Sequence, residues 1–127
     1  MIDRNEPELP LDRRRILLVE GCSNLLSSLS LILFRAGAWD VWQAHNAARA
    51  RELWKEHCEC IDVVIADENL PDGRGTDLLS ELRFEDPQVS CLLMSHAPAR
   101  DAGQFSSSRF LSKPFTEREL ISALISS

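Results

Sequence analysis

Short apolar runs, each followed by a segment with helical periodicity, recur along the chain and constrain its fold more than any other feature. The runs are Ile16–Val19, Val41–Ala44, Ile61–Ala66, Val89–Met94 and Phe110–Ser112. Apolar runs without polar alternation suit strands that are covered on both faces. Strands that alternate with helices are typical of βα units feeding a parallel sheet. The sequence therefore predicts an α/β fold in which helices cover a five-stranded parallel sheet.

Helical segments follow the first three strands. Ser23 can cap the first helix, which Gly37 can end in the left-handed conformation, and Asn46 can cap the second. The second helix carries an inward stripe at helical spacing, and this stripe consists of Ala47, Ala50, Leu53 and Trp54. The third helix begins at Thr76 or its neighbours and stops before Pro87.

The two remaining helices differ in their signals. Thr116 and Glu119 have the spacing of a capping box, which predicts that the last helix opens there. Residues 97–108 contain Pro98 and Gly103, which disfavour a helix interior. We therefore expect the fourth helix to be short, and this stretch to be the least ordered part of the domain after the N-terminal segment.

Length and charge limit the remaining possibilities. The 127 residues correspond to one domain, which we predict at 14–127 after a flexible lead-in at 1–13 that contains Pro7 and Pro10. A net charge of -6 disfavours direct nucleic-acid binding. The charged N-terminus and the absence of a long apolar run predict a cytoplasmic protein that does not enter a membrane.

Polar residues stand at the ends of four predicted strands. In an open parallel sheet, ligand groups gather at the carboxyl ends of strands, near the place where the strand order reverses. The first, third, fourth and fifth strands end in Glu20, Asp67, Ser95 and Lys113. These groups could bind a divalent cation and handle a phosphoryl group, with Asp67 as the nucleophile. Ser95 and Lys113 would contact the transferred oxygens.

Four segments in this order resemble the receiver domain of two-component response regulators. They are Ile16–Glu20, Val63–Asp67 with Leu70–Gly73, Leu92–Ser95 and Phe110–Phe115, and the resemblance covers residues 14–125. It implies a flavodoxin-like (βα)5 three-layer sandwich. It also implies that the chain is a signalling switch and not an enzyme. The implied partner of this switch is a sensor histidine kinase or a phosphotransfer protein, and an output domain or a second copy of the chain is a possible further partner.

The resemblance also implies roles for individual residues. Asp67 is the phosphoacceptor, Ser95 and Phe110 are the switch pair, and Lys113, which precedes a proline, contacts the phosphate. The implied magnesium ligands are Glu20, Asp67 and the backbone carbonyl of Asn69.

Three departures from the family pattern bear on activity. Gly21 stands where the family has a second acid, so we expect magnesium to bind weakly. His96 follows Ser95 where the family has a small residue, which would partly screen the site. The step of 18 residues from Ser95 to Lys113 is shorter than usual by about one helical turn, or ~4 residues.

Two other interpretations compete with a phosphorylated switch. The first is a pseudo-receiver that keeps the fold as a phosphorylation-independent protein-binding scaffold, which Gly21 and the short fourth helix favour. The second is a free-standing hydrolase that uses Asp67, which is disfavoured because the sequence shows neither a separate substrate pocket nor a general base. A metal site at 57–60, which holds one histidine and two cysteines, lacks a second ligand pair at matching spacing.

Overall fold

Five parallel strands form one sheet in the order β2-β1-β3-β4-β5. The computed structural model describes residues 9–96 and 109–125. The strands are β1 (Arg15–Val19), β2 (Asp40–Ala44), β3 (Val63–Asp67), β4 (Ser90–Ser95) and β5 (Arg109–Ser112). The strand order reverses between β1 and β3, as in the flavodoxin-like arrangement. The predicted α/β fold with a five-stranded parallel sheet is confirmed.

Four helices cover the sheet within the described residues. They are α1 (Ser23–Arg35), α2 (Ala47–His57), α3 (Gly75–Glu85) and α4 (Glu117–Ile125). Among the helices of the described ranges, none is both long enough and apolar enough to span a bilayer. The short helix predicted within 97–108 lies outside the described residues, so α4 is the last of the predicted helices.

The apolar side chains of the strands form two cores, one on each face of the sheet. In β1, Leu17 and Val19 join the core that also holds residues of α2 and α3, whereas Ile16 and Leu18 join the core with α1 and α4. All four side chains are fully buried. Burying one such side chain stabilises the fold by about 1.5–3 kcal/mol, which explains why β1 lacks the polar alternation of a half-exposed strand.

The packed chain begins upstream of the predicted boundary at residue 14. Leu11 is 1% exposed and belongs to the core with α1 and α4. Its backbone N–H donates to the carbonyl of Ala36, just after α1, at 2.8 Å. Leu9 approaches the same place, because a Cβ on Gly37 would lie 2.7 Å from the Leu9 Cβ. Gly37 has a φ of +109°, as its predicted role requires.

Two of the three predicted N-terminal helix caps are present. The Asn46 side chain accepts the N–H of Arg49 at 2.7 Å. Thr116 and Glu119 form the reciprocal capping box, with bonds of 2.9 and 3.1 Å. The cap predicted at Ser23 is wrong, because Cys22 is the N-cap and Ser23 is already helical. The backbone N–H of Cys22 donates to the Glu20 carboxylate at 3.3 Å.

Candidate functional site

Two acidic residues meet at the carboxyl edge of the sheet, where the strand order reverses. Glu20 directly follows β1 and Asp67 ends β3. The two strands are neighbours, with Val19 in register with Ala66. Glu20 is 3% and Asp67 6% exposed. Because a buried carboxylate is costly without a partner, this pair calls for a compensating positive charge.

The ammonium group of Lys113 supplies that charge. Its Nζ lies 2.9 Å from Oδ1 of Asp67 and 3.1 Å from Oε2 of Glu20. Lys113 directly follows β5, and its backbone N–H donates to the carbonyl of Ser95 at 2.8 Å. Burial would lower the pKa of this amine, but hydrogen bonds to Asp67 and Glu20 and their negative charges raise the pKa above 10.5. Lys113 is therefore a charged donor at the site.

The predicted switch pair lies on neighbouring strands beside this cluster. Ser95 is 2% exposed and ends β4, next to Asp67, whose register partner is Met94. Phe110 lies in β5, two positions before the register partner of Ser95. Strand alternation therefore places both side chains on one face of the sheet. Phe110 is half-buried and packs against the core with α2 and α3.

The oxygen donors predicted for magnesium are the carboxylates of Glu20 and Asp67 and the backbone carbonyl of Asn69. Over residues 9–96 and 109–125, no group of three or more His, Cys, Asp or Glu could hold a metal ion, at 57–60 or elsewhere. Magnesium often uses one or two carboxylates and keeps several waters. The donor set therefore fits magnesium in kind, while Gly21 contributes no side-chain oxygen.

A small ribbon follows Asp67. Asn69 and Leu70 pair antiparallel with Arg74 and Gly73. Two backbone hydrogen bonds of Glu68 hold the base of the ribbon. Its N–H donates to the carbonyl of Met94 at 2.8 Å, and its own carbonyl accepts the N–H of Gly75, the first residue of α3, at 2.9 Å. The buried Glu68 carboxylate also accepts hydrogen bonds from the side chains of Arg74 and Thr76.

Residues 71–75 contain Gly73 and Gly75, and this segment makes two close contacts with the strand ends that the sequence does not reveal. A Cβ on Gly75 would lie 2.2 Å from the backbone oxygen of Asp67, so this position accepts only glycine without a shift of the backbone. A Cβ on Gly21 would lie 3.2 Å from Cδ of Pro71. The glycines are the sequence signal for tight packing in this region, but their spacing does not reveal which backbone atoms approach them.

The structure gives positions for the residues at the ends of the strands. The Lys113–Pro114 bond is cis. The structure brings Glu20, Asp67 and Lys113 into direct contact. Asn69 is exposed within the ribbon, and His96, just past β4, is exposed as well.

Comparison with known proteins gives a consistent result. The family model for the response regulator receiver domain matches residues 16–125. The chain is 30% identical to the chemotaxis protein CheY of Bacillus subtilis (strain 168) over 114 residues, covering 87% of this chain and 93% of that protein. It is 32% identical to the transcriptional regulatory protein CssR of the same organism, covering 84% of this chain but 47% of that regulator. The chain thus spans about half the length of that transcriptional relative.

A solved structure shares the fold and part of the sequence. It is the response regulator receiver domain protein from Clostridium thermocellum, with a TM-score of 0.80 and 26% identity. The alignment covers 87% of this chain and 90% of that one.

Proposed function

Because the chain belongs to the family of response regulator receiver domains, we propose that it is a phosphoacceptor in a two-component system, switched by phosphorylation of Asp67. Members of this family are signalling domains that exchange phosphoryl groups with histidine kinases or phosphotransfer proteins. The partner of this chain would accordingly be a sensor histidine kinase or a phosphotransfer protein. Any output domain or second copy would respond to the state of the switch.

The contact between Lys113 and Asp67 carries the proposal. In the transfer, a carboxylate oxygen of Asp67 forms a bond to phosphorus while the bond from phosphorus to the donor's leaving group breaks. The ammonium at 2.9 Å from Oδ1 stands where negative charge increases on the transferred oxygens. A fixed positive charge in a largely buried site stabilises such a transition state more than one in water.

Ser95 and Phe110 would transmit the change. The Ser95 hydroxyl can donate to a phosphoryl oxygen on Asp67, since the two residues end adjacent strands. A shift of Ser95 toward the site alters the space next to Phe110, which is only partly buried and lies on the same face. Phosphorylation would thereby bias an equilibrium between two arrangements that both exist beforehand.

Magnesium binding at this site is expected to be weak. Receiver domains typically bind Mg²⁺ at the site of phosphorylation, where it neutralises charge on the transferred oxygens. In this chain Glu20, Asp67 and the Asn69 carbonyl would hold the ion. Weak affinity follows because Gly21 provides no carboxylate, so water must fill an additional coordination position.

The proposal is tested by the mass of the intact protein after incubation with a small acyl phosphate and magnesium. We expect an increase of one phosphoryl group in the unaltered chain and none in Asp67→Asn. Asp77→Asn is the matched control, because Asp77 is an exposed acid in the first turn of α3. Equal adduct in Asp67→Asn would refute the assignment of the acceptor. Absence of the adduct from the unaltered chain and the control would refute phosphorylation as the switch.

A phosphorylation-independent scaffold is the second candidate, and the Gly21 position favours it. The ring of Pro71 lies close to Gly21, so that a side chain at this position would contact an apolar group. A scaffold would bind its partner with equal affinity whether or not the phosphodonor and magnesium are present, whereas a switch would not.

A further inference from the structure

The carboxylate of Asp72, at the tip of the ribbon, is bound to the beginning of helix α2. The N–H of Ala47 donates to its Oδ1 at 2.7 Å, and the N–H of Ala48 donates to its Oδ2 at 2.9 Å. Asn46 accepts the next N–H, that of Arg49. A helix leaves its first N–H groups without partners inside the helix. Here two of them are satisfied by a residue that lies 24 and 25 positions away.

The electrostatics of this contact favour a charged Asp72. The hydrogen bonds from Ala47 and Ala48 lower the pKa of the Asp72 carboxyl below its usual range. The partial positive charge at the start of a helix acts in the same direction. Although Asp72 is exposed, two short hydrogen bonds, one to each carboxylate oxygen, fix the position of this group.

The neighbouring residue places the ribbon against the acidic cluster. Pro71 precedes Asp72, and its Cδ and Cγ would lie 3.2 and 3.4 Å from a Cβ on Gly21. Gly21 itself follows Glu20, which shares the Lys113 ammonium with Asp67. At its base the ribbon is held by Glu68, directly after Asp67. The base of the ribbon is therefore held beside Asp67, and its tip is bound to α2. Between these two points Pro71 lies against Gly21.

We propose that Asp72 is a positioning residue for the Asp67 site. By fastening the ribbon tip to α2, it keeps Pro71 against Gly21 and limits the motion of the segment that contains Asn69. Loss of the contact would free the tip and loosen the site without removing any group that touches the reacting atoms. This inference rests on the proposed function insofar as the site is phosphorylated.

A pair of variants separates positioning from the stability of α2. Asp72→Ala and Asn46→Ala each remove bonds to the first turn of α2, but only Asp72→Ala releases the ribbon. Since small displacements of reacting groups cost large factors in rate, we expect phosphoryl-adduct formation to slow about fivefold to tenfold in Asp72→Ala. In Asn46→Ala the rate should stay within about twofold of the unaltered chain. Asp72→Asn keeps one acceptor oxygen and should be intermediate.

A second measurement does not depend on phosphorylation. The chain has five glycines, so the backbone ¹H–¹⁵N signal of Gly21 is readily assigned by NMR. It should shift in Asp72→Ala and stay unchanged in Asn46→Ala, because only the first variant alters the packing of Pro71. Equal Gly21 signals in both variants, or equal adduct rates, would overturn the positioning role. If the unaltered chain forms no adduct, the proposed function fails, and the Gly21 signal alone decides the role of Asp72.

Discussion

Nζ of Lys113 lies 2.9 Å from Oδ1 of Asp67, so one ammonium connects the ends of β5 and β3 across the intervening β4. The same ammonium lies 3.1 Å from Glu20. Two carboxylates and one amine, each with a side chain at most 11% exposed, form a small charged cluster at the edge of an apolar core. The protonation state of Lys113 therefore affects the stability of the domain.

The first prediction concerns alkaline pH. The pKa of Lys113 is raised above 10.5 in the folded chain, so the folded state holds this proton more tightly than the unfolded state. Its contribution to stability is fully present below pH 10.5, the unfolded value, and is lost as the pH rises through the folded pKa. We expect the free energy of unfolding in urea to fall over that range. The chain has no tyrosine and only two lysines, Lys55 and Lys113, which simplifies the measurement.

Lys55→Arg is the control for that titration. Lys55 is exposed on α2, so its replacement should leave the alkaline loss of stability in place. Lys113→Met should remove the part of the loss that belongs to the cluster. An identical pH profile in Lys113→Met would show that the carboxylates do not stabilise the ammonium.

The second prediction concerns the carboxylates after the ammonium is removed. Lys113→Met leaves Glu20 and Asp67 adjacent and largely buried without a counter-ion. Removing one partner of a buried ion pair costs about 3–5 kcal/mol. Because the Lys113 side chain is 11% exposed, we expect a loss of about 2–3 kcal/mol at pH 7. Urea unfolding of Lys113→Met and of the unaltered chain at pH 7 measures the loss, and equal stability of the two chains would contradict this explanation.

The fold was predictable from the sequence because its signals are local. Continuous apolar runs identify buried strands, and Asn46, Gly37 and the Thr116 capping box mark helix ends through their own backbone neighbours. The cap at Ser23 is wrong by one residue, because the carbonyl of Cys22 already accepts the N–H of Leu26 and the helix therefore begins after Cys22.

The site was predictable only in part because its contacts join distant segments. The rule that parallel strands share a carboxyl edge places Glu20, Asp67, Ser95 and Lys113 together. It does not show that Lys113 reaches both carboxylates, nor that Asp72 binds α2. Burial of Leu11 was missed because Pro7 and Pro10 are typical of an extended segment, and the apolar surface that covers Leu11 comes from elsewhere in the chain.

The third prediction concerns Gly75, the first residue of α3. A Cβ there would lie 2.2 Å from the backbone oxygen of Asp67 and 2.8 Å from its carbonyl carbon. Because backbone atoms cannot yield as a flexible side chain can, Gly75→Ala must shift α3 or the end of β3. We expect it to reduce the free energy of unfolding by about 2–3 kcal/mol, at the upper end of overpacking costs.

Gly21→Ala is the matched control for Gly75→Ala. Its Cβ would meet the Pro71 ring at 3.2 Å, and a shift of a few tenths of an ångström relieves that contact. Its effect should stay below about 1 kcal/mol. Thermal unfolding of both variants provides the comparison, and similar losses would mean that the approach of Gly75 to Asp67 is not specially constrained.

The last prediction restores the missing acid. Gly21→Asp places a third carboxylate near Glu20 and Asp67, with Lys113 as the ammonium that contacts both native acids. Without magnesium, repulsion between like charges should lower the free energy of unfolding relative to Gly21→Ala, which adds the same Cβ against Pro71 without the charge. With magnesium the added oxygen ligand should raise the affinity, and stability should then increase with the magnesium concentration according to the binding equilibrium. Calorimetric unfolding of the three chains over a magnesium series measures both effects. If magnesium stabilises Gly21→Asp no more than Gly21→Ala, the loss of one carboxylate does not explain weak magnesium binding. That result would favour the scaffold over the switch.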